Sequence, residues 1–363
     1  MRAGGEASAP APPATSDERL AAAVREVVRA RRAGRARATA VTLVLLAAVF
    51  VALCAALSYG DLMIPARDVI ATLAGGGDTG SRFVVLELRL PRALIGLLVG
   101  AAFGLSGAVF QTLLRNPLAS PDVIGISAGA SAAAVLAGVT FGASGYALSA
   151  SAVAGALLTA GAIYALAWRE GVVGYRLVLV GVGVGAALSS MISHLLTSSD
   201  AAVAQSALAW LTGSLNGRSW DQLWPLAVSL LLLVPATFVA ARSLRTLQLG
   251  DETAKGLGTR VERGRPVLIG CAVALAGVAT GAAGPVTFVA FVAAPIARRL
   301  VPRQGAALVP AALTGALIVL VADFAAQHLL GSTQFPVGVV TSVIGAPYLL
   351  WLLAGANRVG RGG

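Results

Sequence analysis

Long apolar runs alternate with short polar segments along most of this chain. Each run is about 20 residues long, enough for an α-helix to cross the roughly 30 Å hydrocarbon core of a bilayer. Since lipid offers a backbone no hydrogen-bond partners, and the runs are too long for barrel strands, the pattern predicts an all-α, polytopic membrane protein with about ten transmembrane helices. The approximate bounds of the ten runs are 39–58, 93–114, 119–141, 146–168, 174–197, 222–242, 265–284, 286–301, 305–326 and 336–354.

Composition supports this class. Hydrophobic residues make up 57% of the 363 residues and charged residues only 12%, against about 25% charged residues in soluble domains. The net charge of +11 lies in short connections between runs and not on one soluble face, so nucleic acid is not an expected partner. Two isolated cysteines, Cys54 and Cys271, and two isolated histidines, His194 and His328, predict no metal site.

The basic residues also predict an orientation. With ten spans, both termini lie on the same side, and if that side is the cytoplasm it holds all but five of the 27 lysines and arginines. By the positive-inside rule this predicts a cytoplasmic-membrane protein with both termini inside. Residues 1–38, rich in Ala, Pro and Arg, are expected to be a disordered basic cytoplasmic tail, and residues 39–357 the transmembrane domain. The five outer residues are Arg67, Arg82, Arg89, Arg92 and Arg218.

An internal repeat is suggested by glycines that recur with the same spacing in the second and seventh runs. Positions i, i+4 and i+7 share a helix face, and small residues there let helices approach closely within lipid. A repeat displaced by five spans would be inverted in the membrane, which is common among transporters. Because the chain has 43 glycines, coincidence is the alternative explanation. The two sets are Gly100, Gly104 and Gly107, and Gly277, Gly281 and Gly284.

The outer polar segment, residues 60–92, carries the first candidate site. Arg89 and Arg92 are three residues apart and therefore share a helix face. An exposed arginine pair could bind the carboxylates of an acidic partner protein through forked hydrogen bonds. From the residues alone, snorkelling of both side chains at a helix end is the simpler interpretation.

The inner polar segment, residues 242–265, contains GDETAKGLG. Asp251 can cap a short helix here, and Gly258 can end it. Such a helix at the inner surface could act as a lever for a partner, although an ordinary loop helix explains the pattern equally well. Lys255, the single lysine, lies in the order Ala-Lys-Gly, which excludes a phosphate-binding P-loop on this chain.

A hinge interrupts the apolar sequence at LLRNPLASPDVIGISAGA, residues 113–130. Pro117 and Pro121 keep the flanking helices from merging, and Arg115 follows the positive-inside rule. Asp122 in this hinge and Asp323 near the outer end of the ninth run are the chief ionisable groups within the runs, and Asp323 could face outer water. So few carboxylates argue against a proton relay.

Five blocks between Leu88 and Leu353 closely resemble the permease subunits of ABC importers for ferric siderophores, haem and cobalamin. The resemblance implies a type II ABC importer permease that forms a homo- or heterodimer in the lipid bilayer. It also implies ABC ATPase subunits that carry ATP and magnesium, and an extracytoplasmic substrate-binding protein, with no cofactor or catalytic residue on this chain. The blocks are LRLPRALIGLLVGAAFGLSGAVFQTLLRNPLASPDVIGISAGA, WLTGSLNGRSW, LGDETAKGLG, GPVTFVAFVAAPIARRL and FPVGVVTSVIGAPYLLWLL.

The resemblance also implies roles for particular residues. Arg89 and Arg92 match arginines that dock the binding protein, and Asn116 and Leu118 match positions that line an inner gate. The residues that match the ATPase-coupling helix are Gly250, Asp251, Glu252, Ala254, Leu257 and Gly258.

Two positions depart from the family pattern. Ala294-Pro295 moves a proline by one residue near IAR, and Gln327 occupies a position where another member has a third docking arginine. The expected function is inward transport of an iron-siderophore complex driven by a separate ATPase. Import of cobalamin or haem, proton-coupled secondary transport and a non-transporting membrane scaffold are the alternatives.

Overall fold

A computed structural model describes residues 16–60, 62–168, 174–302, 305–328 and 334–359, which contain helices and no strand. We call the end of the bundle at the C terminus of α1 outer and the opposite end inner, following the charge pattern. A π-helical turn, Phe83–Arg89, leads into α4, and a 3-10 turn, Ala241–Ser243, follows α9. The α-helices are α1 (Ser16–Ser58), α2 (Ala66–Leu73), α3 (Thr79–Arg82), α4 (Leu90–Leu113), α5 (Ile126–Phe141), α6 (Gly145–Ala167), α7 (Gly174–Thr197), α8 (Ala201–Leu211), α9 (Trp220–Ala240), α10 (Leu244–Leu247), α11 (Asp251–Gly256), α12 (Val261–Ala283), α13 (Val289–Leu300), α14 (Leu308–His328) and α15 (Val337–Val359).

The predicted all-α, multi-span class is confirmed. Each predicted run contains a helix, and α8 is an additional helix in a segment expected to be a connection. Among the described residues, seven helical stretches are long and apolar enough to cross a membrane. The other three runs contain α5 and α15, whose described apolar parts are shorter, and α13, which has 12 residues. The turns at PLASPDVIG and GPVTF take up part of two of these runs. The seven stretches are Val24–Ser58, Thr79–Leu113, Gly145–Ala167, Tyr175–Thr197, Trp220–Leu247, Val261–Ala283 and Leu308–His328.

The first helix begins much earlier than the sequence predicted. It starts at Ser16, so the expectation of a disordered tail is wrong for residues 16–38, while residues 1–15 lie outside the described residues. Alanine, arginine and glutamate favour helices, and extending an existing spanning helix needs no new nucleation. Arg37 Nε donates to the Leu300 carbonyl at 2.9 Å, which ties this extension to the inner end of α13.

The centre of the bundle is α4. It packs against α14, α12, α13 and α9, and most of its side chains are buried. A Cβ atom at Gly100, Gly104 or Gly107 would overlap a backbone carbonyl of α14 or α13. These glycines therefore permit the direct backbone contact that packs membrane helices closely together.

The matching glycines pack α12 against α6. A Cβ at Gly277 or Gly281 would come within 2.9–3.0 Å of α6 atoms. Among the ten predicted spans, α4 is the second and packs on α14, the ninth, while α12 is the seventh and packs on α6, the fourth. A repeat displaced by five spans relates these two pairs to each other. Gly284 departs from this pattern, because it turns with φ 75° at the end of α12 and lies against Trp210. The packing supports an inverted repeat, which stays a prediction.

Candidate functional site

Arg92, at the outer end of α4, forms an ion pair with Asp323 of α14. Nε donates to Oδ2 at 3.0 Å and Nη2 donates to Oδ1 at 2.9 Å, and the two side chains are 14% and 7% exposed. Gln327, one turn later, donates to Oδ2 at 2.8 Å. The expectations that Arg92 is exposed and that Asp323 faces water are therefore wrong, because the carboxylate is satisfied between two helices.

Arg89 holds the end of α1. Its Nη1 donates to the Leu57 carbonyl at 2.9 Å, and its Nη2 donates to the Leu62 carbonyl at 2.6 Å. Leu57 lies in the last turn of α1, where carbonyls lack intrahelical partners and a cation complements the helix dipole. The Arg89 side chain is therefore half-buried. The exposed Arg89–Arg92 pair that the sequence spacing predicts is not present.

The two arginines nevertheless line one outer cavity of about 420 Å³, together with Arg218. Arg218 Nε donates to the Ser214 carbonyl at 3.2 Å, and burial lowers the pKa of this guanidinium. Among the described lining residues, Glu87 carries the one carboxylate. The cavity therefore has a net positive lining and is suited to an acidic side chain.

Sequence reasoning missed an apolar surface on the same outer segment. Met63 lies before α2, Ile70 lies within it, and both side chains are well exposed. Val69 and Thr72 form the buried face of α2, so the apolar Ile70 next to this face was the available signal.

The inner hinge lies at the other end of α4, about 36 Å away along this 24-residue helix. Arg115 has φ 49°, a left-handed conformation that is uncommon outside glycine. Asn116 Oδ1 accepts a hydrogen bond from the Leu118 backbone N–H at 2.9 Å, which orders the turn. Asn116 and Leu118 are half-buried, and their gating role stays a prediction.

A long-range hydrogen bond joins the hinge to the inner polar segment. Arg115 Nη2 donates at 2.7 Å to the carbonyl of Leu247, the last residue of α10. In the sequence, the hinge and this segment are two separate candidate sites more than 100 residues apart. The structure brings them together.

The helix predicted within GDETAKGLG is present as α11. Its N-cap is Gly250, with φ 110°, and not Asp251 as predicted. Asp251 Oδ1 instead accepts a hydrogen bond from Arg265 Nη2 at 2.7 Å, which ties α11 to α12. The helix ends before Gly258, whose φ of 79° agrees with the predicted stop. Since α12 begins at Val261, the inner connection is shorter than the predicted segment 242–265.

α11 is anchored on one side and open on the other. Ala254 is fully buried, whereas Glu252, Lys255 and Leu257 are exposed. A short helix with this distribution can transmit force, because its buried side fixes it to the bundle while its charged and apolar side chains remain available.

A buried polar link between α4 and α13 was also missed. Gln111 Nε2 donates to the Phe291 carbonyl at 3.0 Å, and its Oε1 accepts a hydrogen bond from Arg298. A glutamine inside an apolar run was the available signal, since buried amides require partners. Ala294 and Pro295, the departure noted above, lie buried within α13.

The outward face of α7 is polar for a spanning helix. Most of its described side chains are at least partly exposed. Four hydroxyls donate to carbonyls four residues earlier, which satisfies them without removing them from the surface. Small and hydroxylated residues mark helix contacts in membranes, so this face is suited to another protein surface more than to lipid. The four residues are Ser189, Ser190, Ser193 and Thr197.

Comparison with known proteins places these features in a family. The model described as the FecCD transport family matches residues 45–355. The chain is 42% identical over 316 residues to the ferric enterobactin transport system permease protein FepG of Escherichia coli (strain K12), covering 87% of this chain and 96% of that one. It is 38% identical over 327 residues to the iron(3+)-hydroxamate import system permease protein FhuG of Bacillus subtilis (strain 168), covering 88% and 96%.

A solved structure shares the fold. It is described as an inward-facing conformation of a metal-chelate type ABC transporter, and it matches with a TM-score of 0.77 at 27% identity, covering 87% of this chain and 99% of that one. The family match includes the outer cavity's arginines, the hinge and α11, whereas the first part of α1 lies before it.

Proposed function

The chain belongs to the FecCD transport family, and on that basis we propose that it is the permease subunit of an ATP-driven importer that moves a ferric siderophore complex inward across the cytoplasmic membrane. The observation that carries this proposal is the near full-length similarity to permeases named for ferric enterobactin and iron(3+)-hydroxamate. Both of these cargoes are iron(III) chelates, which favours a siderophore over cobalamin or haem.

On the outer side, an extracytoplasmic binding protein docks over the cavity that contains Arg89, Arg92 and Arg218. An acidic side chain from that protein competes with Asp323 for Arg92. The Arg92 guanidinium stays paired during this exchange, whereas the buried Asp323 carboxylate keeps the Gln327 amide as its side-chain donor. The contacts formed on docking must therefore offset the cost of separating Asp323 from Arg92. Because Asp323 lies on α14 and Arg92 on α4, docking would loosen the contact between these helices.

On the inner side, the exposed side chains of Glu252, Lys255 and Leu257 contact an ABC ATPase subunit. ATP and magnesium bind to that subunit, and hydrolysis takes place there. When the ATPase moves α11, the bond from Arg115 to Leu247 carries the movement to the hinge that contains Asn116 and Leu118. The transport cycle is then a two-state equilibrium that ATP biases through different contacts in each state.

A second permease copy, identical or related, packs near the polar face of α7. The hydroxyls on this face would line a path between the copies, where a hydrated chelate meets small polar side chains. The basic residues gathered at the inner end support cytoplasmic termini.

Reconstitution tests the function directly. The permease with its ATPase in proteoliposomes is expected to hydrolyse ATP several-fold faster when the iron-loaded binding protein is added, and to accumulate radiolabelled ferric chelate. Uptake should persist in the presence of a proton uncoupler. Uptake that follows a proton gradient in the absence of the ATPase would refute the proposal.

The docking site is tested by charge reversal with a matched control. Arg89→Glu should abolish stimulation by the binding protein, whereas Arg67→Glu should leave it near the wild-type level, because Arg67 lies on the same outer segment but outside the cavity. ATPase co-purification and a monodisperse size-exclusion peak show that each variant is folded. Stimulation of the Arg89 variant at the wild-type level would exclude docking at this cavity.

A further inference from the structure

A second and larger cavity, of about 1320 Å³, lies at the inner end of the bundle. Three segments form it: the N-terminal part of α1, the junction between α9 and α10, and the turn that leads into α14. Four arginines line it, two from α1 and two from the junction, and its described lining contains no carboxylate. They are Arg31, Arg35, Arg242 and Arg245.

These arginines are not neutralised within the described parts of the chain. The ion pairs there involve other residues, and no hydrogen bond of these four guanidinium groups is present. Arg31 and Arg35 lie one helical turn apart, as do Arg242 and Arg245, so like charges repel within each pair. An anion in the cavity would relieve both repulsions.

The rest of the lining is apolar. Val27 of α1, Phe238 of α9 and Val309 of α14 border the cavity, and all three side chains keep substantial exposure. A free inorganic anion would gain nothing from these surfaces, whereas an amphiphile could bury its chain against them.

The position relative to the hydrocarbon region agrees with an amphiphile. The apolar run of α1 begins at about residue 39, so Arg31 and Arg35 lie one to two turns beyond it, at the depth of the headgroups. Phe238 and Val309 belong to spanning helices. Basic pockets between transmembrane helices on the cytoplasmic side are suited to anionic lipid headgroups.

We propose that this cavity binds one anionic phospholipid of the inner leaflet, with its phosphate among the four arginines and its acyl chains against the apolar lining. The α1 part of the lining lies before the residues that match the family. The bound lipid would join the N-terminal extension to α10, whose last residue accepts the bond from Arg115. The lipid would therefore act on the segment that links the ATPase side to the hinge.

The test measures lipid selectivity on the full-length chain. Spin-labelled phosphatidylglycerol and phosphatidylcholine are compared for association with the protein in phosphatidylcholine vesicles. Arg31→Gln with Arg35→Gln is expected to lower the preference for phosphatidylglycerol about 30-fold, which corresponds to about 1 kcal/mol for each arginine. Arg29→Gln with Arg32→Gln removes the same charge from the same helix outside the cavity and should lower it less than about threefold.

Further variants separate the site from a diffuse charge effect and from misfolding. Ala30→Trp keeps every arginine but fills part of the cavity, and it should abolish the preference. Arg31→Lys with Arg35→Lys should retain most of the preference for phosphatidylglycerol, because both positive charges are kept. Equal losses in the two arginine-to-glutamine pairs would overturn the proposal, as would an unchanged preference in the Ala30 variant.

The same preparation distinguishes the lipid from two other occupants of the cavity, inorganic phosphate and a protein partner. Millimolar inorganic phosphate should not displace the labelled lipid, and complete displacement would make this a free-phosphate site and overturn the proposal. If Ala30→Trp abolished ATPase association and left the lipid preference unchanged, the surface would be a contact with a protein partner. That result would also overturn the proposal.

Discussion

The ion pair between Arg92 and Asp323 allows the sharpest test of the packing between α4 and α14. Arg92→Met leaves a carboxylate that is 7% exposed with the Gln327 amide as its remaining side-chain donor. Removing one partner of a buried pair costs about 3–5 kcal/mol, since the other charge stays buried and uncompensated. Adding Asp323→Leu removes that charge, so the double variant should be considerably more stable than the single one.

The chain contains its own control. Arg67 and Asp68 form an ion pair at 3.4 Å whose side chains are 86% and 47% exposed, and an exposed pair of this kind contributes about 0–1 kcal/mol. Arg67→Met should therefore change stability little, although it removes the same charged group from the same outer side of the protein.

The assay is the thermal midpoint of the detergent-purified chain, followed by loss of the monodisperse size-exclusion peak after heating. At about 2 °C per kcal/mol, Arg92→Met should lower the midpoint by roughly 6–10 °C and Arg67→Met by less than about 2 °C. The double variant should recover at least half of the loss. Equal shifts for Arg92→Met and Arg67→Met, or a double variant no better than the single one, would refute the reasoning.

Three further substitutions test the packing of the α4 glycines, the bond from Arg115 to Leu247, and the seating of α11. Gly107→Leu would collide with a carbonyl of α13 and should abolish the folded fraction in detergent, whereas Gly161→Leu, with open space around it, should leave that fraction near wild type; equal yields would contradict the packing argument. Arg115→Ala removes the bond to Leu247, a charged hydrogen bond that contributes about 1 kcal/mol in a partly exposed site. It should raise unstimulated ATP hydrolysis roughly fivefold and lower the chelate transported per ATP, and an unchanged ratio of transport to hydrolysis would exclude the link. Ala254→Leu adds bulk at a fully buried position and should greatly reduce ATPase co-purification, so normal co-purification would show that the seating of α11 is unimportant.

Local features were readable from the sequence because they do not depend on the rest of the fold. An apolar run of sufficient length satisfies its own backbone as a helix whatever lies beside it, so the all-α membrane class was predictable. The same holds for α11, where left-handed glycines at positions 250 and 258 flank the helix. The extension of α1 to Ser16 agrees with the helix propensity of its alanines and arginines, although its basic composition is also typical of disordered segments.

The partners of the charged side chains were decided only by tertiary structure. Arg92 and Asp323 are 231 residues apart, and Arg115 lies 132 residues from Leu247. No spacing rule connects such positions, because their meeting depends on which helices the glycines of α4 allow to come together. The sequence by itself therefore determined a helical membrane bundle with arginines at its outer end and a short helix at its inner end. Only the packing of α4 against its neighbours decided that Arg92 is held by an internal carboxylate and that Arg115 joins the hinge to α10, since a buried charge takes whichever partner the assembled helices bring within hydrogen-bonding distance.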